Sequence, residues 1–221
     1  MRSFAEIHEM AVAKKGSEAE LEALLPQPED AATLAAKPDD RWLSAMTCCV
    51  FQAGFNWRVI ENKWHGFEEA FAGFDLGRCS MFSDEDIDAL TRDTRIVRNP
   101  QKIVTVRANA VFLRDLAGEH GSAAKFFADW PVEDFIGLLD LMKRRGSRLG
   151  GRTAQIFLRR MGKDSFILSM DVCKALICEG VVDKEPKSKG QMRAVQDAFN
   201  QWRSESGRPI AQISRTLSAT I

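Results

Sequence analysis

Between Leu141 and Gly162 the chain carries seven lysines and arginines (Lys143, Arg144, Arg145, Arg148, Arg152, Arg159 and Arg160) and no acid, although 31 basic and 31 acidic residues balance over the whole sequence. Gly146, Gly150 and Gly151 fall inside this stretch. Glycine permits the tight or left-handed backbone that brings main-chain N–H groups close to an anion. Thr153 and Ala154 then open a helix, whose first amides lack partners and favour a phosphate. The chemistry on offer is the binding of a polyanion. A solvated basic face beside an ordinary glycine turn has the same composition, and the stretch alone does not separate the two. Further on, Asp171 stands at the start of the next helix, where aspartate is a preferred cap.

The elements that must position these residues read as helices. Apolar residues and alanines recur at three- and four-residue spacings and alternating runs are scarce, which predicts an all-α fold. At 221 residues and 45% hydrophobic content the chain is long enough for one large domain or two small ones. The five cysteines, Cys48, Cys49, Cys79, Cys173 and Cys178, form an odd set without CxxC pairing. That argues against a disulfide framework and suits a reducing compartment. Without an apolar leader or a long uncharged run, a cytoplasmic protein with no membrane partner is expected. Nothing in the chain implies a cofactor or an obligate protein partner.

Taken in order, a helix is expected from Ser3 to Lys14. Ser17 and Glu20 make a capping box for a second helix, stopped by Pro26. Proline- and acid-rich segments at 26–30 and 37–40 mark residues 1–38 as an N-terminal helical arm, with the main domain over 39–221. Asp39 or Asp40 caps a strong helix to about Gln52. Gly54 ends it, Asn56 starts the next, and Trp57 stands at the junction. Ser83 with Asp86 and Asn99 with Pro100 mark two further starts. Pro131, then Ser169 or Asp171, open later helices, and 191–203 and 210–217 read as the last two.

Three runs of residues resemble known families. SRLGGRTA (Ser147 to Ala154), with Asp171 beyond it, is similar to the hairpin and catalytic aspartate of helix-hairpin-helix DNA glycosylases. FQAGFNWRVIENKWHGFEEAFAGFD (Phe51 to Asp75) and RIVRNPQKIVTVRANAVFL (Arg95 to Leu113) resemble the bacterial 3-methyladenine DNA glycosylase I family, whose pattern there is QAGLSW, a helix ending FxxFD, then GIIRxxxKIxAxxxNA. The resemblance covers roughly Trp42 to Val182. It implies a helix-hairpin-helix DNA glycosylase fold of two helical lobes with a cleft between them, and a hydrolase excising alkylated purines, 3-methyladenine foremost, from double-stranded DNA in base-excision repair. Ser147, Arg148, Gly150, Gly151, Arg152 and Thr153 would hold the DNA backbone. Trp57 would stack on the flipped base, with Gln52 lining the pocket, and Asp171 would be the catalytic carboxylate.

The departures from the pattern carry their own expectations. Arg148 replaces the usual first hairpin glycine. Arg152 stands where glycosylases with lyase activity carry lysine, and a guanidinium forms no Schiff base, so the enzyme should be monofunctional. The family ties its ends with zinc through a Cys and a His near each terminus. This chain has only His8 near the N-terminus, and His65 and His120 stand apart, so no metal is expected. Cys49 occupies the position of the family's base-reading glutamate, three residues before Gln52, and no acid lies between Arg41 and Ile60. A thiol is a poor substitute for that acceptor. The alternatives are a DNA-binding module of the same fold, inactive or altered in its chemistry, and a different enzyme or interaction protein on this scaffold.

Overall fold

The computed structural model describes all 221 residues. It holds fifteen α-helices and two short 3-10 turns, with no strand. The helices are α1 (Phe4–Lys15), α2 (Glu18–Glu22), α3 (Ala31–Ala35), α4 (Asp39–Gln52) and α5 (Trp57–Asn62). Next come α6 (Trp64–Ala70), α7 (Leu76–Ser80), α8 (Asp84–Arg92), α9 (Pro100–His120) and α10 (Ala123–Asp129). The chain closes with α11 (Phe135–Arg145), α12 (Arg152–Arg160), α13 (Met170–Cys178), α14 (Lys189–Ser206) and α15 (Ile210–Ala219). None of them is long and apolar enough to cross a membrane.

The chain divides into two compact units. One is Met1–Glu29, Trp130–Leu138 and Gly162–Ile221; the other is Asp30–Asp129 and Leu139–Met161. In the second unit, α4 runs through the core and packs on α9, α10 and α12. Its buried Trp42 stacks on Phe127, ring centroids 4.8 Å apart, and meets Phe157 edge-on at 5.8 Å. At its other end Phe51 sits edge-on to Phe67 at 4.7 Å, and Phe67 continues the cluster to Trp64 and Phe71. These rings recur at helical spacing in the sequence because each turn of α6 returns one to the same face. Aromatic pairs of this kind add about 0.5–1.5 kcal/mol each beyond burial.

Local caps set most helix starts. Asn56 accepts the Arg58 amide at 3.0 Å, Ser83 and Asp86 form a reciprocal box, and Asn99 accepts the Lys102 amide ahead of Pro100. Ser17 accepts the Glu20 amide, one half of its expected box. Neither Asp39 nor Asp40 caps α4. Pro38 occupies the cap position without a side-chain bond, and Asp39 instead accepts the amides of Ala123 at 3.0 Å and Ala124 at 2.9 Å, capping α10.

In the first unit, Phe135, Phe166, Phe199 and Trp202 form a buried aromatic chain with centroids 4.7–5.7 Å apart. The sequence suggests an arm through residue 38. The N-terminal segment of this unit ends at Glu29, and its helix α1 packs on α14 and α15.

Candidate base-binding and DNA-binding site

In the second unit the C-terminal turn of α4 presents Cys48, Cys49 and Gln52, and the next residues turn sharply at Gly54, φ +69°, into α5. Lys102 fixes this turn from α9, donating to the carbonyls of Phe51 at 3.0 Å and Ala53 at 2.7 Å. Those are the carbonyls an α-helix leaves open at its end, and a cation there also suits the helix dipole. Burial, helped by the charge of Arg148, lowers the Lys102 pKa. Beyond the turn Phe55, Trp57 and Val59 are exposed, Trp57 by 47%. An indole this open, on a turn held from beneath, could stack with a planar ring.

Gln52 is buried and both ends of its amide are used. Its carbonyl accepts from Arg160 Nη2 at 2.8 Å and its Nε2 donates to Glu61 Oε1 at 3.3 Å. Arg160 also donates to the Cys48 sulfur at 2.9 Å, and its guanidinium lies 6.0 Å from the centroid of the Trp57 ring. Arg160 ends the helix that follows the hairpin, so the hairpin's own helix closes one side of the Gln52–Trp57 cluster. Burial pushes the Cys49 thiol up to about 12, and it raises Cys48 against the pull of Arg160. Both are neutral thiols at ordinary pH.

The hairpin joins α11 to α12. Asn109, fully buried on α9, accepts the Ser147 amide at 2.8 Å and donates to the Ser147 carbonyl at 3.2 Å. A Cβ on Gly146 would come within 2.8 Å of the Met142 carbonyl oxygen, so only glycine fits there. Gly151 takes φ +58° and ψ −133°, which side chains avoid. Gly150 does not take a positive φ and has room for a Cβ, so the left-handed freedom expected of it is not used. Arg148 itself is left-handed, φ +57°, in the place of the expected glycine. Strain of roughly 1–2 kcal/mol follows from the Cβ. Its guanidinium donates to Gln101 at 2.6 Å. The amides of Gly150, Gly151, Arg152 and Thr153 make no hydrogen bond within the chain, leaving a row of donors beside exposed Arg148 and Arg152.

In the first unit, Asp171 lies in the first turn of α13 and is partly exposed. The cap of that helix is Ser169, whose side chain accepts the Val172 amide at 3.2 Å. Asp171 is therefore not the cap, and its carboxylate sits where the helix dipole favours a negative charge.

The chain from residue 34 to 136 matches the family model of the methyladenine glycosylases. Among solved structures, 3-methyladenine DNA glycosylase I from Staphylococcus aureus is similar at a TM-score of 0.51 and 21% identity, over 64% of this chain and 82% of that one. A point variant of the Staphylococcus aureus enzyme gives 0.51 and 19% over 80% and 99%. A variant of 3-methyladenine DNA glycosylase I in complex with 3-methyladenine gives 0.52 and 18% over 70% and 91%. Over residues 34–136 the chain is similar to the methyladenine glycosylases. Its fold is the helix-hairpin-helix glycosylase fold of those structures.

The glycosylase family's zinc does not suit the residues present. One group of potential ligands, His8, Glu18 and Glu22, has ligand atoms within 4.8 Å of one another. Arg208 already donates to Glu22 at 2.5 Å and lies 3.9 Å from Glu18, so a cation holds that corner, and no cysteine joins it.

Sequence reasoning named Gln52, Cys49, Trp57 and the hairpin but assigned no site role to Glu61, Arg160, Lys102 or Asn109. Glu61 had a signal, since it lies four residues after Trp57 on the same short helix and one position past the acid-free run. Arg160 had none beyond its basic character, because its partner Gln52 is 108 residues away in the chain.

Proposed function

We propose that the protein is a monofunctional DNA N-glycosylase that flips a damaged purine out of duplex DNA and hydrolyses its glycosidic bond, with 3-methyladenine as the first substrate to test. The observation that carries this reading is the linkage of Gln52 and Trp57, through Arg160, to the helix of a hairpin whose amides are unspent. It joins a base-stacking platform to a phosphate-binding loop. The free amides at Gly150 to Thr153, with Arg148 and Arg152, would hold backbone phosphates and set register without reading sequence. Stacking of the flipped base on Trp57 would contribute about 1–3 kcal/mol.

Hydrolysis then breaks the bond from C1′ to the base nitrogen, and the electron pair leaves with the base. A positively charged methylated purine leaves as a neutral molecule, so the step needs little acid assistance. Asp171 is assigned to stabilise the developing oxocarbenium and to take the proton of the water that adds to C1′. Its freedom from capping duty supports that assignment. Arg152 in place of lysine supports hydrolysis without strand cleavage.

The test is chromatographic detection of free bases released from methylated duplex DNA by the wild type and by Asp171→Asn. Release of 3-methyladenine that collapses in the variant supports both the activity and the role of Asp171. Release that survives leaves the activity and removes the role. Duplex binding without release of any base favours a binding module of this fold, the reading that Cys49 in the place of an acid would motivate.

A further inference from the structure

We propose that Glu61 is the residue that reads the base, its carboxylate accepting a hydrogen bond from the exocyclic amine of the purine stacked on Trp57. The assignment rests on the glycosylase reading above and names the group that gives it specificity.

Trp57 and Glu61 are four residues apart on α5, a spacing that puts their side chains on one face about 5–6 Å apart at Cβ. A base stacked on the indole therefore has Glu61 at its edge. The carboxylate is aimed rather than free. Gln52 is buried and Arg160 takes its carbonyl oxygen, which fixes the amide so that its Nε2 faces Glu61 Oε1 at 3.3 Å. Glu61 Oε2 is bonded to nothing in the chain.

The other groups around Trp57 fail as acceptors for an amine. Cys48 and Cys49 are protonated thiols, and the Cys48 sulfur already accepts from Arg160. Gln52 has spent both ends of its amide. Arg160 only donates. Glu61 is thus the one anion of the cluster, and a carboxylate is the side chain that accepts well from an exocyclic amine in base-edge recognition. Gln52 is the positioning residue that ties Glu61 on α5 to the end of α4. A positively charged methylated base gains further from a carboxylate at its edge, which offsets the repulsion of Arg160.

The test uses the full chain and two free bases, 3-methyladenine and 3-methylhypoxanthine, which differ in carrying an amine or a carbonyl at the purine 6-position. Calorimetric titration of the wild type should show tighter binding of 3-methyladenine. Glu61→Gln should weaken that binding about tenfold to a hundredfold, the loss of a bond to a charged acceptor. The same variant should narrow or reverse the preference, because a glutamine amide also donates to a carbonyl. Glu61 is exposed, so the substitution leaves no cavity, and circular dichroism with duplex affinity checks that the fold is intact. A variant that binds 3-methyladenine as tightly as the wild type, with the same preference, overturns the role of Glu61 and leaves the glycosylase reading standing. A wild type that binds neither base and releases none overturns that reading and the assignment with it.

Discussion

Asn109 holds the hairpin in place, and Asn109→Ala should release it. The side chain is fully buried and makes two bonds to one residue, accepting the Ser147 amide at 2.8 Å and donating to the Ser147 carbonyl at 3.2 Å. Each such bond contributes about 1 kcal/mol net, and a partner group left buried without a bond costs about 1–3 kcal/mol more. Ser147 is only partly buried, so water rescues some of that second cost. The expected loss is about 2–3 kcal/mol, or roughly 4–12 °C in Tm for a chain of this size. Urea unfolding gives the total, and hydrogen exchange at the Ser147 amide shows whether the loss is local. Asn109→Asp is the sharper control. It keeps an acceptor for the amide but turns a second carboxylate oxygen towards the Ser147 carbonyl, so it should cost at least as much as alanine. A loss under about 0.5 kcal/mol with unchanged exchange at Ser147 would refute the reasoning.

Two further predictions concern strain and pH. Arg148 pays for a left-handed backbone at φ +57°, so Arg148→Gly should be more stable than Arg148→Ala. Both lose the bond to Gln101, and only glycine sheds about 1–2 kcal/mol of strain, less roughly 0.5–1 kcal/mol for its greater freedom when unfolded. Alanine equal to glycine in urea unfolding would contradict the strain. Glu68 is partly buried, which alone would raise its pKa, but the bidentate Arg41 and the Ser44 hydroxyl outweigh burial and hold it below the usual value of 4.5. A depressed folded pKa stabilises the fold at all pH above the carboxylate range and ceases to do so as pH falls through the folded value. Glu68→Gln should therefore cost stability at pH 7 and progressively less below pH 4.5; a gap between wild type and variant that widens in acid would contradict this sign.

The parts of the fold that were legible in the sequence are those whose partners are close in the chain. The Ser83–Asp86 box, the Asn99–Pro100 start and Asn56 each bond within a few residues, so residue type and spacing carry the information. The misread positions bond far away. Asp39 looked like the cap of its own helix and serves α10. Asp164 acts similarly, accepting the amides of Ile210 at 3.1 Å and Ala211 at 2.7 Å at the start of α15. An aspartate that caps its own helix and one that caps a distant helix have the same local spelling. The site divides along the same line. The place of Trp57 at the junction of α4 and α5 was readable, whereas the Arg160–Gln52–Glu61 chain exists only because α12 packs on α4.

The same contrast explains how the N-terminal segment is held to the C-terminal helices in the first unit without the zinc ligands of the glycosylase family. Structural zinc contributes on the order of 10–16 kcal/mol in zinc-finger peptides, and no single contact here matches it. Several contacts act together instead. The buried carboxylate of Glu179 accepts both the Arg2 amide at 3.0 Å and its guanidinium at 2.9 Å, Glu205 accepts the Phe4 amide at 2.8 Å, and Trp202 donates to the Arg2 carbonyl at 3.1 Å. Bonds to charged groups contribute about 1.5–3 kcal/mol each. Beneath them Phe4, Ile7 and Ala11 are buried on α1, and Ala11 packs with Leu21, Leu25 and Ala219. Full burial of a large apolar side chain adds about 1.5–3 kcal/mol. The attachment is thus distributed over carboxylates and apolar side chains of α1, α14, α15 and the C-cap of α13.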